Sequence, residues 1–337
     1  MTTARPRRTA GLDAGVDPRL DPRLDPLVVP RLLADVQAEV GRVVVGQEQV
    51  VATLLGALLV GGHVLLEGVP GVAKTLLAQA FSRTLALSFS RVQFTPDMLP
   101  SDLSGTTVLR RGELTFAPGP VFASVVLGDE VNRTPPKTQS ALLEAMQEGQ
   151  VTVDGVSHPL PDPFFVLATQ NPLEYEGTYP LPEAQLDRFH VRASVGYPAY
   201  DDEVALLRLA HRGVTQSSLA EVRPVVDAAT LADAVDVVQA TRVEDGVAAY
   251  VVQVVRATRS APGVAVGASP RAAVHLLAAA KAAARLAGRD FTTPDDVAAA
   301  VPRVLAHRLV LTPEAELERL STTTVLEAAL GRVPVPR

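Results

Sequence analysis

Gly68-Val69-Pro70-Gly71-Val72-Ala73-Lys74-Thr75 follows the apolar run His63-Val64-Leu65-Leu66-Glu67 and precedes a segment with helical periodicity. Strand, Gly-rich turn and helix N-terminus in that order are what a phosphate-binding loop requires. Gly68 and Gly71 let the backbone bend so that its N–H groups face a polyphosphate, and the positive end of the helix dipole adds to them. Lys74 is placed to reach the β- and γ-phosphates, and Thr75 to set its hydroxyl on Mg²⁺. Ala73 stands where the usual pattern has glycine. Alanine keeps its N–H and tolerates a negative φ, so the loop is expected to survive the change. The stretch predicts a nucleoside triphosphate site.

Around it, the chain of 337 residues has room for two domains. With 47% apolar and 20% charged residues it has the composition of a folded globular protein, and with only 4% aromatics its core should rely on small aliphatic side chains. The absence of cysteine excludes disulfides, thiolate metal sites and a Cys nucleophile, and fits a reducing cytoplasm, the expected location. A net charge of −6 argues against a general nucleic-acid binder. No apolar stretch follows the basic start Met1-Thr2-Thr3-Ala4-Arg5-Pro6-Arg7-Arg8, so no secretory signal is expected. The run Val50 to Leu66 is broken by Gly61-Gly62-His63 and reads as a buried helix followed by a strand, not as a membrane segment.

Pro18, Pro22 and Pro26 recur every fourth residue among charges of alternating sign, which predicts a flexible tail over residues 1–30. Beyond it, Gln47 to Val60 reads as a helix, and Arg91 to Phe94, Ser124 to Leu127, Phe164 to Ala168 and Val191 to Val195 as strands. Arg111-Gly112 and Asp154-Gly155 mark hairpins, and Gly149 closes a helix from Pro136 to Glu148. Continuous apolar strands alternating with helices imply an α/β fold, a parallel sheet covered on both faces. After Tyr197-Pro198 the pattern is helical: Asp201 to His211, Leu231 to Thr241, Val247 to Ser260, Arg271 to Ala287 and Pro294 to Leu305. The Pro182 to Phe189 stretch is expected to be a short helix.

Asp129-Glu130 ends a buried strand, the place where parallel α/β sheets bind ligands. A hydrolase acting on a γ-phosphate needs a carboxylate for Mg²⁺ and a group that handles water; Asp129 suits the first and Glu130 the second. Asn171 follows another buried strand and can hold a water or touch the γ-phosphate, or it simply starts a turn before Pro172. Arg188 is either a surface ion-pair residue or a finger on a neighbour's nucleotide. Arg271 falls in the first turn of a helix capped by Ser269 and opened by Pro270, where a cation opposes the dipole, so a functional reason is expected. The six histidines lie singly in sequence, and no metal beyond Mg²⁺ is expected.

Several long motifs occur in fixed order: the phosphate loop, Phe94 to Leu103, Asp129-Glu130-Val131-Asn132-Arg133, Pro135 to Glu148, Ala168-Thr169-Gln170-Asn171-Pro172, Gly177 to Phe189 and Gly267 to Ala272. Together they resemble the MoxR-type AAA+ ATPases of the helix-2-insert clade over about residues 31–312. The resemblance implies an AAA+ core (31–198), an all-helical lid (199–312) and a C-terminal extension (313–337) that it does not cover. It implies ATP and Mg²⁺ at a site made of Val45, Gly46, Gly68, Val69, Pro70, Gly71, Val72, Ala73, Lys74, Thr75 and Leu76, with Val44 and Gln47 also near the adenine. Thr75 and Asp129 would hold the metal, Glu130 would be the base, Asn171 sensor 1 and Arg271 sensor 2. Arg188 resembles the trans-acting finger, with Arg133 as a rival. Segments 96–120 and 150–158 correspond to inserts that face a pore or client. The resemblance further implies a homo-hexameric ring and chaperone-like remodelling of a von Willebrand factor A-domain protein or a metalloprotein. A chelatase-like motor subunit is the alternative, a DNA-acting motor and a nucleotide-gated scaffold lesser ones.

Overall fold

The computed structural model describes residues 25–171, 177–210 and 218–336. Two helices, α1 (Val28–Val40) and α2 (Glu48–Leu59), lead into β1 (Val64–Glu67), α3 (Lys74–Thr84) and β2 (Phe89–Gln93). A short α4 (Pro100–Ser104) precedes the hairpin β3 (Gly105–Arg110) and β4 (Glu113–Pro118). Then come β5 (Val125–Asp129), α5 (Pro136–Glu148), a second hairpin of β6 (Gln150–Val153) and β7 (Val156–Pro159), β8 (Phe165–Gln170), α6 (Glu183–Leu186) and β9 (Val191–Ser194). Both hairpins turn on paired left-handed residues, Arg111 (φ 52) with Gly112 (φ 87) and Asp154 (φ 51) with Gly155 (φ 79), the backbone that matches strand twist.

Five strands form one parallel sheet in the order β2-β5-β8-β1-β9. Its interior strands are apolar on both faces because both are covered. Val64, Leu66, Val125, Leu127, Phe165 and Leu167 point to one side, into a cluster shared with α1, α2 and α3. Leu65, Val126, Val166 and Ala168 point to the other, against Leu142, Leu143 and Met146 of α5. Most of the core is Val, Leu and Ala, with Phe81, Phe94, Phe165 and Phe189 the largest fully buried side chains.

The second part holds α7 (Tyr200–Ala210), α8 (Ala228–Gln239), α9 (Asp245–Arg259), β10 (Val264–Val266), α10 (Pro270–Leu286), α11 (Pro294–Leu305), β11 (Val310–Leu311), α12 (Pro313–Leu317) and α13 (Thr322–Leu330). It is helical except for the ribbon in which β10 pairs antiparallel with β11, which the sequence pattern did not announce because each strand is only two or three residues long. Gly56 of α2 lies against α10: a Cβ there would sit 3.4 Å from Leu286 and 3.6 Å from Ala282. Those are ordinary packing distances, and one apolar cluster runs from the sheet through α2 into α8, α10 and α11. Residues 313–336 are part of that packing, since Val325, Leu326, Ala329 and Val333 are buried in the same cluster. At the other end α1 begins at Val28, inside the expected 1–30 tail, with Val29 fully buried; residues 1–24 lie outside the described residues.

Candidate nucleotide site

β1 ends at Glu67, and Gly68 then passes so close to the end of β9 that a Cβ would lie 2.4 Å from the Val195 carbonyl oxygen. Gly71 is required for a different reason, its φ of +86 in open space. Ala73 departs from expectation: it is left-handed (φ 62, ψ 28), not at negative φ. It immediately precedes α3, so the chain must reverse hand to start that helix, and an alanine held there stores about 1 kcal/mol of strain. Lys74 is the first residue of α3, which has neither a side-chain cap nor an acidic residue in its first turn. Helix dipole and ammonium thus add at one point, an arrangement that suits an anion and little else. Lys74 Nζ donates to the Gly68 and Val69 carbonyls at 2.5 and 2.8 Å, which curls the charge across the loop mouth.

Beside the loop, Asp129 is almost fully buried at the C-terminal end of β5. Its Oδ1 accepts from Thr75 Oγ1 at 3.0 Å and from Thr169 Oγ1 at 3.2 Å, and its Oδ2 pairs with Arg91 Nε at 2.8 Å. The Thr169 hydroxyl in turn accepts the Glu130 N–H at 3.0 Å, tying the Asp129 carboxylate and the Glu130 backbone to β8. Glu130 is left-handed too (φ 58), and its half-exposed carboxylate accepts from Gln93 Nε2 at 2.9 Å and pairs with Arg133 Nε at 2.9 Å. Asn171, buried just past β8, receives Asn132 Nδ2 on its carbonyl at 3.5 Å. Because β8 lies between β1 and β5, the ends of all three strands bring Gly68, Asp129 and Asn171 to one sheet edge. Val45 and Gly46 precede α2; Gly46 (φ +74) meets α7, where a Cβ would sit 2.4 Å from Asp202 Oδ2.

Arg188 and Arg271 are not on that edge. β9 pairs with β1 in parallel, Val64 beside Val191, and the His190 N–H donates to the His63 carbonyl at 2.8 Å. Arg188 therefore lies at the start of the sheet, separated from the loop by the length of β1, about 13 Å at 3.3 Å per residue. The expected helix over 182–189 stops at Leu186, and Asp187 to His190 form a turn. Arg271 pairs with Asp187 at 3.8 Å and shares a cleft with Arg188, Gly62, His190 and Val274. The two arginines are thus grouped with each other across the core–lid junction.

Four of the histidines collect at the same junction. Burial pushes His63 down to about 4, and burial with the Arg308 charge does the same to His275; His190 and His307 also lie well below the ordinary value, mainly through burial. All four are held neutral in the native state, whereas the unfolded chain takes up protons below pH ~6.5, so their contribution is complete above that value and lost as pH falls toward 4. For His63 alone this amounts to about 3 kcal/mol. The urea midpoint should fall steadily between pH 6.5 and 4, and a flat profile would contradict the assignment.

With this geometry in view, the relatives are informative. Residues 63–191 match the model for the ATPase family associated with various cellular activities (AAA), and residues 256–329 match the AAA lid domain. The chain is 45% identical to Chaperone MoxR1 of Mycobacterium tuberculosis, over 89% of this chain and 81% of that protein. It is also 45% identical to the uncharacterized Bacillus subtilis protein YeaC (90% and 95% covered), and 34% identical to the MoxR protein of Methylorubrum extorquens (90% and 95%). A crystal structure of a Cytophaga hutchinsonii protein assigned as an ATPase superposes with a TM-score of 0.84 at 40% identity, covering 93% of this chain and 97% of that one. The chain belongs to the MoxR family of AAA ATPases.

For a MoxR-family chain, the site contains three polar residues that the sequence reading gave no role. Arg91 and Gln93 alternate along β2, a pattern that reads as a solvated strand face until β2 is known to pair with β5 beside Asp129. Thr169 stood within a motif, but its link between Asp129 and Glu130 appears only when β8 lies next to β5. Among the described residues no group of three or more His, Asp or Glu could hold a metal by itself, and no helix is long and apolar enough to cross a membrane.

Proposed function

We propose that this chain is an Mg²⁺-dependent ATPase that couples hydrolysis of ATP to ADP and phosphate to the remodelling of a partner protein. The observation that carries the reading is the Thr75–Asp129 pair, a hydroxyl and a buried carboxylate 3.0 Å apart beside Lys74 at the end of a parallel sheet. Hydroxyl and carboxylate oxygens are the hard donors Mg²⁺ prefers, so the residues fit the ion. The bound ion would neutralise charge between the β- and γ-phosphates. Lys74 leaves its loop carbonyls to meet the same phosphates. Glu130 accepts the proton of the attacking water, and Asn171 orients that water without adding charge. Before that, Glu130 must let go of Gln93 or Arg133, both of which hold its Oε2. Val45 and Gly46, the latter against Asp202 of α7, border the base.

Arg188 supports a ring. Its side chain has no hydrogen-bond or ion-pair partner among the described residues, it stands across the sheet from its own loop, and Arg271 stands beside it. A face that offers two cations far from the chain's own phosphates fits the nucleotide of a neighbouring copy, and a head-to-tail contact of this kind closes into a ring, here read as a homo-hexamer. The rival Arg133 is occupied with Glu130 of its own chain. The two hairpins, with Leu109 and Leu114 exposed on the first, would meet the client, read as a von Willebrand factor A-domain protein or a metalloprotein in the cytoplasm. A chelatase-like motor subunit uses the same site and differs in its partner; the −6 net charge disfavours a DNA-acting motor.

Glu130→Gln tests the reading. The amide keeps the shape but cannot take the proton, so the variant should bind ATP at near-native affinity while turnover falls by about 10²-fold or more. Turnover within a few-fold of the native rate would assign the base elsewhere. Held in its ATP state, the same variant is the bait for the partner: recovery of an A-domain protein supports remodelling, and stimulation by DNA alone argues for the motor reading.

A further inference from the structure

The turn that bears Arg188 is gripped from the lid by one side chain. Arg308, which follows α11, has a side chain only 1% exposed. Its Nε donates to Asp187 Oδ1 at 2.7 Å, its Nη2 to the carbonyls of Asp187 (3.2 Å) and Phe189 (2.6 Å), and its Nη1 to the His190 carbonyl at 3.2 Å and to the Val304 carbonyl. The carbonyls on both sides of Arg188 are therefore fixed by a residue 120 positions away in the lid. The neighbouring His307 donates from Nε2 to the Phe189 carbonyl at 3.1 Å. The grip extends to α10: Arg308 Nη2 donates to His275 Nδ1 at 2.6 Å, and His275 lies one helical turn from Arg271. Asp187 completes the constellation, with Oδ1 on Arg308 and Oδ2 toward Arg271 at 3.8 Å.

Packing alone needs much less than this. A buried guanidinium must have its donors satisfied, yet a lid helix could satisfy them from its own side chains. Here four of its six hydrogen bonds go to one four-residue turn of the other domain, and only those to the Val304 carbonyl and His275 stay within the lid; the four fall on either side of a side chain that itself has no partner among the described residues. The fork geometry is what allows it, since five N–H groups in one plane can hold several carbonyls in a fixed relation.

We infer that Arg308, acting through Asp187 and the carbonyls around Arg188, is a positioning residue that makes the finger arginine and the lid arginine Arg271 one rigid unit. Any displacement of the lid then moves both arginines together, so a subunit offers its neighbour both or neither. This rests on the reading of Arg188 as acting on a neighbouring copy, and the experiment separates the two.

Arg308→Lys keeps the charge and loses the fork; Asp187→Asn keeps the size and loses the ion pair. Each full-length variant should bind ATP at its own loop like the native chain, with KM little changed, and lose kcat by 10-fold or more. The reading is carried by complementation, which a merely structural role would not move. Mixed with Lys74→Ala, each variant should regain activity, because the partner lends intact arginines. Mixed with Arg188→Ala, neither should, and adding Arg308→Lys to Arg188→Ala in one chain should cost nothing more. Native kcat in both variants while Arg188→Ala is inactive would overturn the inference and leave the finger standing. An active Arg188→Ala would instead remove the reading beneath it. If Arg308→Lys fails to fold, Asp187→Asn carries the test; failure of both to fold would overturn the inference, leaving the clamp a folding element only.

Discussion

Lys74→Ala is expected to lower nucleotide affinity by at least about 100-fold, a loss of about 2.7 kcal/mol, with the fold intact. The ammonium is the one full positive charge in the loop, and charge-assisted hydrogen bonds to phosphate contribute about 1.5–3 kcal/mol each. Lys74 Nζ also satisfies the Gly68 and Val69 carbonyls. The variant therefore loses that clasp as well, but both carbonyls lie in half-exposed residues that water can reach, so thermal stability should change little. Lys74→Arg is the instructive control: a planar fork replaces a compact point charge beside a turn with no spare room at Gly68, and it should not restore binding. Equilibrium titration with a fluorescent ATP analogue reads all three proteins. Affinity within a few-fold of native in Lys74→Ala would sink the assignment of this loop to phosphate.

The loop also shows where sequence reasoning reaches and where it stops. Strand, glycines, lysine and threonine were legible because each meets a local requirement, and the strands β1, β5 and β8 because burial on both faces leaves an unbroken apolar run. Arg111-Gly112 and Asp154-Gly155 were legible for the same kind of reason, a backbone demand met within two residues. Ala73 was misjudged: alanine is permitted at negative φ, but the reversal of hand before Lys74 is imposed by the geometry of the strand-to-helix turn, and the alanine follows at a cost. Arg91, Gln93 and Thr169 act across strand neighbours that no local pattern specifies. Arg308 grips a turn 120 residues earlier. Nothing in its local sequence, His307-Arg308 after a helix, marks it as one of the most buried cations among the described residues. The C-terminal helices α12 and α13 were hidden by shortness, and what defines them is the apolar cluster they complete.

The largest effect on turnover without loss of binding is expected from the two arginines at the far edge. Arg188→Ala should bind ATP and lose kcat by as much as on the order of 10³-fold, since a finger acts on charge developed in the transition state. Mixing variants then decides whose nucleotide each arginine serves. In rings assembled from equal amounts of Arg188→Ala and Lys74→Ala, a site works where an intact loop meets an intact arginine face. Random neighbours of a head-to-tail ring produce that in about a quarter of sites. Activity should return to about that level although each variant alone is inactive, and verified mixed rings with no recovery would rule out action on the neighbour. Replacing Arg188→Ala by Arg133→Ala in the mixture tests the rival, whose pairing with Glu130 favours a local role and hence no recovery. Arg271 is settled by mixing Arg188→Ala with Arg271→Ala. If both arginines serve the neighbour, every face lacks one of them and no site recovers. If Arg271 served its own loop, an Arg188→Ala subunit would keep it, borrow Arg188 from the adjoining Arg271→Ala subunit, and restore about a quarter of sites. The shared cleft, the 3.8 Å pairing of Arg271 with Asp187 and the length of β1 between that cleft and the loop predict the first outcome.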